Sequence, residues 1–361
     1  MSGPLISVVM ANYNGGSYLP LAVESILAQS CGDFELIIID DCSTDDSRAY
    51  LRSLDDPRVR LLENQQNRGQ TASLNIGLEA ATGRYMARMD ADDICEPTRF
   101  ERQLQFLESR QDIAISGTQA RFIDDKGSDC GVSHHPNDPD SVWAYGFLQN
   151  PFLHPSVFLR IELVRDEGVR FDESVVNQDF ELWSRLLPTH RGANLPERLI
   201  RYRVHADSMT IRHLEENLRA SAAIIRSRLA AEGLDDLMTD AEIDSLLRYV
   251  FADRRLADEA GVDRAALGSV LWRVTKALRR QRPGCGEFVD LMLHRLVQSC
   301  LWPQGSRRLG LRCALLGRSL AEAPASWFRL IARRALDRGS RPAVSMASAC
   351  GSNEALPMNV R

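Results

Sequence analysis

Four short apolar segments alternate with longer helical segments over the first 110 residues of the chain. The predicted strands are Leu5–Ala11, Phe34–Ile39, Val59–Leu62 and Arg84–Met89. Leu5–Ala11 is a continuous β-branched and apolar run, and Phe34–Ile39 is a second largely apolar one. Such runs are typical of strands that are buried on both faces, as in a parallel sheet. The alternation therefore predicts a Rossmann-like α/β fold: a doubly wound, mixed but mostly parallel sheet with flanking helices.

The rest of the chain divides where the apolar period changes. Further strands are predicted at Ala114–Gly117 and Ala120–Ile123, after the segment His154–Ser156, and up to His205. From residue 213 the period is helical, and the predicted helices are Leu214–Glu232, Asp240–Asp258, Arg264–Arg280 and Glu287–Leu301. Thr239 and Glu242 predict a capping box for the second of these. We therefore expect an α/β domain at 1–212, a helical C-terminal domain at 213–340 and a disordered tail at 341–361.

Three of the predicted strands end in polar clusters, at residues 12–14, 40–41 and 90–93. In open parallel sheets, ligands bind beyond the carboxyl ends of the strands, and neighbouring strands lie about 4.8 Å apart. The clusters therefore predict one ligand of about the size of a nucleotide. Tyr13 offers an aromatic face for a base, and Asp41 offers a carboxylate for a base or ribose edge.

The segment Asp90–Asp93 places three carboxylates within four residues. Carboxylates this close repel one another unless a cation lies among them. Asp90 and Asp92 suit a hard divalent ion with oxygen ligands, Mg²⁺ or Mn²⁺, which would in turn bind a diphosphate. The alternative is that Asp92 or Asp93 only caps the helix that Pro97 begins.

Composition and missing motifs exclude several classes of protein. The formal net charge of -5 argues against a nucleic-acid binder. The eight cysteines form no C-x-x-C pair, so we expect neither a zinc site nor a disulfide framework. There is no G-x-G-x-x-G after the first strand and no Walker A lysine, which disfavours a dehydrogenase or a P-loop NTPase. The absence of a signal peptide and of an apolar run of about 20 residues predicts a cytoplasmic protein.

Four motifs occur together in the order found in one enzyme family: Val8–Asn14, Asp40–Asp45, Asn67–Gly69 and Met89–Asp93. As a set they resemble the family 2 glycosyltransferases of GT-A fold. Ser73–Asn75 and Arg88–Asp93 look like the bacterial polysaccharide subgroup of that family. The resemblance implies an inverting, metal-dependent enzyme. It would move a sugar from a nucleotide-diphosphate donor, by preference a UDP-sugar, to a hydroxyl of a bacterial surface glycan, an exopolysaccharide or a lipid-linked glycan.

The resemblance also implies roles for residues of the donor site. Ala11 and Tyr13 would border the base, and Asp41 would hydrogen-bond it. In the D-x-D motif, Asp92 would be the more direct metal ligand and Asp90 would lie nearer the ribose. The other residues that we place in the donor site are Asn12, Asn67 and Gly69.

An inverting transfer needs one base that takes the proton of the acceptor hydroxyl. Asp179 aligns with the aspartate of the family's Glu-Asp motif, and Gln178 stands where that motif has its glutamate. Glu181 is the second candidate for the base. The alternative is that both acids only stabilise the first turn of a helix.

Four more residues are candidates for the site. Trp183 is predicted either as the floor of the acceptor site or as a core residue. His205 matches the family's Tyr-Arg-x-His end and either completes the metal shell or is structural. Arg203 is a candidate for neutralising the diphosphate, although an arginine-rich chain offers many others. His154 lies in a family His-Pro-Ser segment, and we assign it to the acceptor pocket.

The basic, amphipathic segment 302–341 has two interpretations, contact with an anionic membrane surface on its inner face or packing on the α/β domain. Two other functions stay open as well. A nucleotidyltransferase also uses paired acids, but the loop after the first strand lacks Lys or Arg. A non-catalytic donor-binding subunit of a glycan assembly complex is the second, and Gln178 is the feature that suggests it. The sequence does not predict the oligomeric state.

Overall fold

The computed structural model describes residues 3–205, 214–251, 264–289 and 292. Within these ranges nine strands form one mixed sheet in the order β3-β2-β1-β4-β8-β6-β9-β5, with β7 paired to β6. The strands are β1 Ile6–Asn12, β2 Phe34–Asp40, β3 Val59–Glu63, β4 Tyr85–Arg88, β5 Ile94–Cys95, β6 Ile115–Ile123, β7 Asp129–Val132, β8 Phe158–Arg160 and β9 Gly192–Arg203. The helices along this part of the chain are α1 Tyr18–Leu27, α2 Ser47–Arg52, α3 Gln70–Ala80, α4 Arg99–Ser109, α5 Pro139–Tyr145, α6 Glu162–Arg165 and α7 Gln178–Leu186.

The first half of the sheet is parallel, as the apolar runs predict. β1 lies between β2 and β4 and pairs with both in parallel register, and β3 pairs with β2 in the same sense. Val8 and Val9 are buried on opposite faces of β1, against Leu19 on one side and Leu74 on the other. Because helices cover both faces, the carboxyl ends of these strands form one polar edge.

The second half of the sheet is mixed. β8 runs antiparallel to both β4 and β6, whereas β9 runs parallel to β6. We expected two strands over residues 114–123, and this was wrong, because β6 is one continuous strand. Thr118 and Gln119 break the apolar pattern, yet both are buried and stay in the sheet at a shift of register against β9.

The C-terminal residues that the structure describes are helical, as predicted. The helices are Leu214–Ala231, Asp240–Phe251 and Arg264–Gln281, and they share a hydrophobic core with α5 and α7. The Thr239 N–H donates to Glu242 Oε2 at 2.9 Å and the Glu242 N–H donates to Thr239 Oγ1 at 3.3 Å, which confirms the capping box. Among the described helices, none combines the length and the apolar character that a membrane span requires.

Some predictions fall outside the described residues. The expected domain boundary at 212 lies within the segment 206–213, and most of the predicted helix Glu287–Leu301 lies beyond residue 289. The basic segment 302–341 and the tail 341–361 also lie outside them. Membrane contact through 302–341 and disorder of the tail stay predictions.

Candidate active site

The loop after β1 lies at the polar edge of the sheet. We call the space over this edge, next to the ends of β1, β2 and β4 and the start of α7, the crevice. Tyr13 is 52% exposed there, and Ala11 lies partly buried beneath it. We expected Asn12 to contact the donor, but its side chain is 1% exposed. Asn12 Nδ2 instead donates to Asp40 Oδ1 at 2.9 Å and to Ser43 Oγ at 3.1 Å. The structure therefore gives Asn12 a structural position, in which it joins the ends of β1 and β2.

Asp41 fixes the loop that precedes α3. Its buried carboxylate accepts hydrogen bonds at 2.7–2.8 Å from Asn64 Nδ2 and from the N–H groups of Arg68 and Gly69. Gly69 adopts φ +87°, which favours glycine, and α3 begins directly after it. Asn67 and Gly69 are exposed in this loop. The contact of Asp41 with a base stays a prediction, since most of its acceptor capacity is used by the loop.

The acidic cluster lies at the end of β4. Carboxylate oxygens of Asp90, Asp92 and Asp93 lie within 4.8 Å of one another. Asp93 is 1% exposed, and its Oδ2 has no hydrogen-bond partner among the described residues. Burial, and then repulsion from Asp92 and Asp90, raises the pKa of Asp93 well above its usual value. Clustered carboxylates with an unpaired buried oxygen fit a hard divalent cation with oxygen ligands.

The end of β9 faces this cluster. His205 Nε2 lies 3.1 Å from Asp92 Oδ2, so the structure brings the two predicted metal ligands together. The prediction that Arg203 contacts a diphosphate is not supported by its position. Arg203 is 3% exposed, its Nε donates to the Asp92 carbonyl at 2.8 Å, and its Nη1 donates to the Asp124 carbonyl at 2.9 Å. Its guanidinium lies 4.4 Å from the ring centre of Tyr18. Its hydrogen bonds connect the loops that contain Asp92 and Asp124.

Asp179 lies in the first turn of α7, at the edge of the same crevice. Its Oδ2 accepts a hydrogen bond from Asn150 Nδ2, and its Oδ1 accepts one from the N–H of Phe180 at 2.7 Å. Burial raises the pKa of Asp179, and the nearby Asp90 charge adds to this rise. A carboxylate with a raised pKa is a stronger base, which suits proton abstraction near neutral pH.

The helix Leu214–Ala231 holds the start of α7. Asn177, which precedes Gln178, donates its Nδ2 to the carbonyl of Asn217 at 2.8 Å and to Ser221 Oγ at 2.7 Å. The turn that carries Asp179 is thus fastened to the C-terminal helices.

Two series of side-chain contacts lead from the acidic cluster to the start of α7. Arg88 donates to Asp90 Oδ1 and, through its Nε, to His154 Nε2 at 3.0 Å. His154 Nδ1 in turn lies 4.0 Å from Asp179 Oδ2. On the other side, Gln70 Nε2 donates to Asp90 Oδ1 at 3.4 Å and its Oε1 accepts from Gln178 Nε2 at 3.4 Å. Asp90 and Asp179, the candidates for the donor side and the acceptor side, are therefore connected through neighbouring side chains.

The turn that carries His154 is held by hydrogen bonds to backbone carbonyls. The Arg88 N–H donates to the Val157 carbonyl at 2.8 Å, and Gln103 Nε2 donates to the Ser156 carbonyl at 3.0 Å. Arg99, which is fully buried at the start of α4, donates to the carbonyls of Arg88 and Val157. These bonds fix the end of β4 against the His154 turn.

Two predicted site residues do not face the crevice. Glu181, the second candidate for the base, accepts hydrogen bonds from Arg185 at 2.9 and 3.1 Å. Residues two apart on a helix point in different directions, so Glu181 does not share the position of Asp179. Trp183 is 0% exposed and packs edge-to-face on Phe152 at 5.6 Å, which makes it a core residue rather than an acceptor floor.

Sequence reasoning gave no role to three residues of this crevice. Arg88 precedes the acidic cluster and was visible in the motif, but only its burial shows that it contacts both Asp90 and His154. Asn150 and Gln70 carry no pattern of their own, so no local signal could have identified them.

Comparison with known proteins identifies the family of the chain. The model of glycosyl transferase family 2 matches residues 7–148. EpsE of Bacillus subtilis is 37% identical over 215 residues, which cover 57% of this chain and 75% of EpsE. The O-antigen biosynthesis glycosyltransferase WbnJ of Escherichia coli is 31% identical over 212 residues, 56% of this chain and 81% of WbnJ.

Solved structures share the fold. The S. aureus TarS 1-349 structure in complex with UDP-GlcNAc superposes with a TM-score of 0.53 at 17% identity, covering 82% of this chain and 88% of that one. The mannosyltransferase PcManGT from Pyrobaculum calidifontis, in complex with GDP-Man and Mn²⁺, gives 0.50 at 17% identity, covering 84% and 88%. With the mixed sheet, the ordered motifs and the relatives in agreement, the chain belongs to glycosyl transferase family 2 and is a glycosyltransferase.

Proposed function

We propose that this enzyme transfers a sugar, with inversion, from a UDP-sugar to a hydroxyl of a bacterial surface polysaccharide or of its lipid-linked precursor. The observation that carries the proposal is the crevice in which the acidic cluster and Asp179 lie at either end of the Arg88–His154 contact. A donor diphosphate at one end and an acceptor hydroxyl at the other would meet between them. Membership of the family favours this reaction over nucleotidyl transfer.

The relatives support the class of donor and acceptor. WfaP of Escherichia coli, 26% identical over 262 residues that cover 69% of this chain and 97% of WfaP, is a UDP-Glc:alpha-D-GlcNAc-diphosphoundecaprenol beta-1,3-glucosyltransferase. AmsE of Erwinia amylovora, 28% identical over 234 residues, is an amylovoran biosynthesis glycosyltransferase. The GDP-Man complex of PcManGT makes a GDP-sugar the donor to test against UDP-sugars.

In the proposed mechanism Asp179 accepts the proton of the acceptor hydroxyl as its oxygen attacks the anomeric carbon. The bond from that carbon to the nucleoside diphosphate breaks on the opposite face, which inverts the configuration. Asp90, Asp92 and Asp93, with His205 beside them, would hold a divalent cation, Mn²⁺ or Mg²⁺. When bound, such an ion would offset the charge of the departing diphosphate.

The test is transfer from UDP- and GDP-sugars with Mn²⁺, Mg²⁺ or EDTA, with the anomeric configuration of the product read by NMR. Asp179→Asn should lower kcat by about 10²- to 10⁴-fold, the usual contribution of a general base, while donor binding persists. Asp92→Ala should lose metal-dependent donor binding. Asp129→Asn, at an exposed carboxylate, is the control.

Three results would contradict the proposal. Wild-type turnover by Asp179→Asn would exclude Asp179 as the base. Full activity of Asp92→Ala with Mn²⁺ would exclude the proposed metal site. A product that retains the donor's anomeric configuration would exclude the inverting step.

A further inference from the structure

The buried ring of His154 is a group that the proposed reaction leaves without a task. Its Nε2 accepts a hydrogen bond from Arg88 Nε at 3.0 Å. Since a guanidinium nitrogen can only donate, Nε2 carries no proton. Burial, and then the Arg88 charge, lowers the pKa of His154 well below its usual value, so the ring is neutral. The one ring proton must therefore lie on Nδ1.

Nδ1 faces the proposed base. It is 4.0 Å from Asp179 Oδ2, and this buried nitrogen has no hydrogen-bond partner among the described residues. Catalytic hydrogen bonds are often long in a free enzyme and shorten when substrate binds. A displacement of about 1 Å would bring the pair to ordinary hydrogen-bond distance.

The ring has little freedom to turn away from this direction. Phe171 packs edge-on against it, with ring centres 5.6 Å apart and an interplanar angle of 87°. Arg88 holds the opposite edge of the imidazole. The geometry leaves Nδ1 directed toward Asp179.

We propose that His154 is a positioning residue for Asp179, held by Arg88 in the tautomer whose Nδ1–H donates to Asp179 Oδ2. This rests on the proposed function, in which Asp179 is the base. The Nδ1 proton is not transferred, and no bond is made or broken at His154. Its donation favours the ionised carboxylate and leaves a lone pair of Oδ1 for the acceptor hydroxyl.

Other groups around Asp179 act in both directions: burial and Asp90 raise its pKa, whereas the hydrogen bonds from the Phe180 N–H and from Asn150 lower it. Asp90, at the end of β4, raises the pKa of Asp179 by repulsion, and burial does the same. Tyr202, on β9, interacts with Asp179 at longer range and has its own pKa raised, chiefly by burial, so it stays neutral. Asn150 donates to Oδ2 from the loop after α5. His154 is thus placed to supply a second side-chain donor that offsets the burial of the base.

The test compares two variants that differ in where they place an amide nitrogen. In His154→Asn the amide nitrogen can take the position of Nδ1, whereas in His154→Gln it can take that of Nε2. The readout is the acid side of the profile of kcat against pH, because kcat reports the enzyme–substrate complex, in which the pair is expected to close. We expect His154→Gln to raise the apparent pKa of this acid limb by about one unit, because one hydrogen-bond donor to the carboxylate is lost. His154→Asn should leave the limb close to its wild-type position.

An unshifted limb in His154→Gln, or equal shifts in both variants, would overturn the proposal. Thermal unfolding and the donor KM should change alike in the two variants, so a purely structural role would not separate them. Asp179→Asn is assayed alongside. Wild-type turnover there would refute the proposed base itself, whereas an inactive Asp179→Asn with an unshifted His154→Gln limb would refute only the role of His154.

A second measurement reads the tautomer in the wild-type protein and uses a variant only to assign the signal. The ¹⁵N chemical shifts of the ring nitrogens, recorded on wild-type protein labelled at its seven histidines, report each tautomer. The signal that disappears in His154→Asn should show Nδ1 protonated and Nε2 unprotonated. A proton on Nε2, or a charged ring at neutral pH, would overturn the proposal.

Discussion

At the scale of single residues, a buried carboxylate stabilises the ends of β1 and β2 at the polar edge of the sheet. Asp40 is 0% exposed and accepts hydrogen bonds from Asn12, Ser43 and Arg48. Burial raises the pKa of Asp40, but the hydrogen bonds from Ser43, Arg48 and Asn12 outweigh burial and leave it below its usual value. The ionised form of Asp40 therefore stabilises the fold.

Replacing Asp40 with Asn should destabilise the protein by about 3 kcal/mol at neutral pH, because charge-assisted hydrogen bonds are lost. The folded pKa lies below the unfolded value of 3.8, so the stabilisation is complete above that pH and is lost as pH falls through the folded pKa. The penalty of Asp40→Asn should therefore shrink at lower pH. Urea unfolding of both proteins at neutral pH and at about pH 3 measures it.

Asp56→Asn is the matched control for Asp40. The side-chain hydrogen bond from Arg58 lowers the pKa of Asp56 to about 2, yet this pair lies at the surface. Solvent screens such pairs, so the stability loss should be much smaller than for Asp40→Asn. Equal losses in the two variants would contradict the role of burial.

At the scale of elements, α3 fastens the loop that precedes α7. Asn75 is buried, its Nδ2 donates to the Phe171 carbonyl at 3.0 Å, and its Oδ1 accepts from the Phe171 N–H at 3.0 Å. Phe171 in turn packs on His154. One side chain on α3 thus sets the position of the loop that precedes α7.

Asn75→Ala should cost about 2 kcal/mol of stability, since it leaves the Phe171 N–H and carbonyl unpaired. It should also lower kcat, because the ring that confines His154 is released. Glu79→Ala on the same helix, at a side chain that is 69% exposed, should change neither quantity measurably. Chemical unfolding and steady-state kinetics on both variants measure these effects. An Asn75→Ala protein as stable as wild type would contradict the role of Asn75 in holding Phe171.

The elements that the sequence predicted are those with a long local pattern. The strands of the parallel half and the helices between them follow from apolar runs, whereas α5, β5, β7 and α6 are too short to show a period. The polar strand ends were also visible, because their position follows from the fold class. The burial of Arg203 was not predicted, and the sequence left Trp183 open between acceptor floor and core, because a residue type does not reveal which partners it meets in space. The approach of His154 to Asp179 depends on a fold that joins distant segments.

At the scale of the whole molecule, one buried arginine joins the C-terminal helices to the α/β core. Arg228, on Leu214–Ala231, is 2% exposed and donates from Nη1 to the Ser184 carbonyl at 2.8 Å. Its guanidinium lies 4.7 Å from the ring centre of Phe147. Burial lowers the pKa of Arg228 to about 10, with Glu232 acting in the opposite sense, so the side chain is charged at neutral pH. Apolar residues from both parts share one core. We therefore propose that residue 213 marks a change of secondary structure and not the boundary of a separately folding domain.

Arg228→Ala should therefore destabilise the whole protein by about 3 kcal/mol, through the cavity and the unpaired groups that it leaves. Arg226→Ala, two positions away at a half-exposed ion pair with Asp240, should cost under about 1 kcal/mol. Unfolding followed by both circular dichroism and tryptophan fluorescence should show one transition in each. Two separate transitions in the wild-type protein would contradict a shared core.

The fastening of Asn177 to Asn217 and Ser221 has a consequence for how such enzymes diversify. The turn that carries Asp179 rests on the later helices, whereas the loops that we assign to the donor nucleotide follow the first four strands. Under the proposed function, we therefore expect substitutions along Leu214–Ala231 to change which glycan is extended while binding of the activated sugar stays the same.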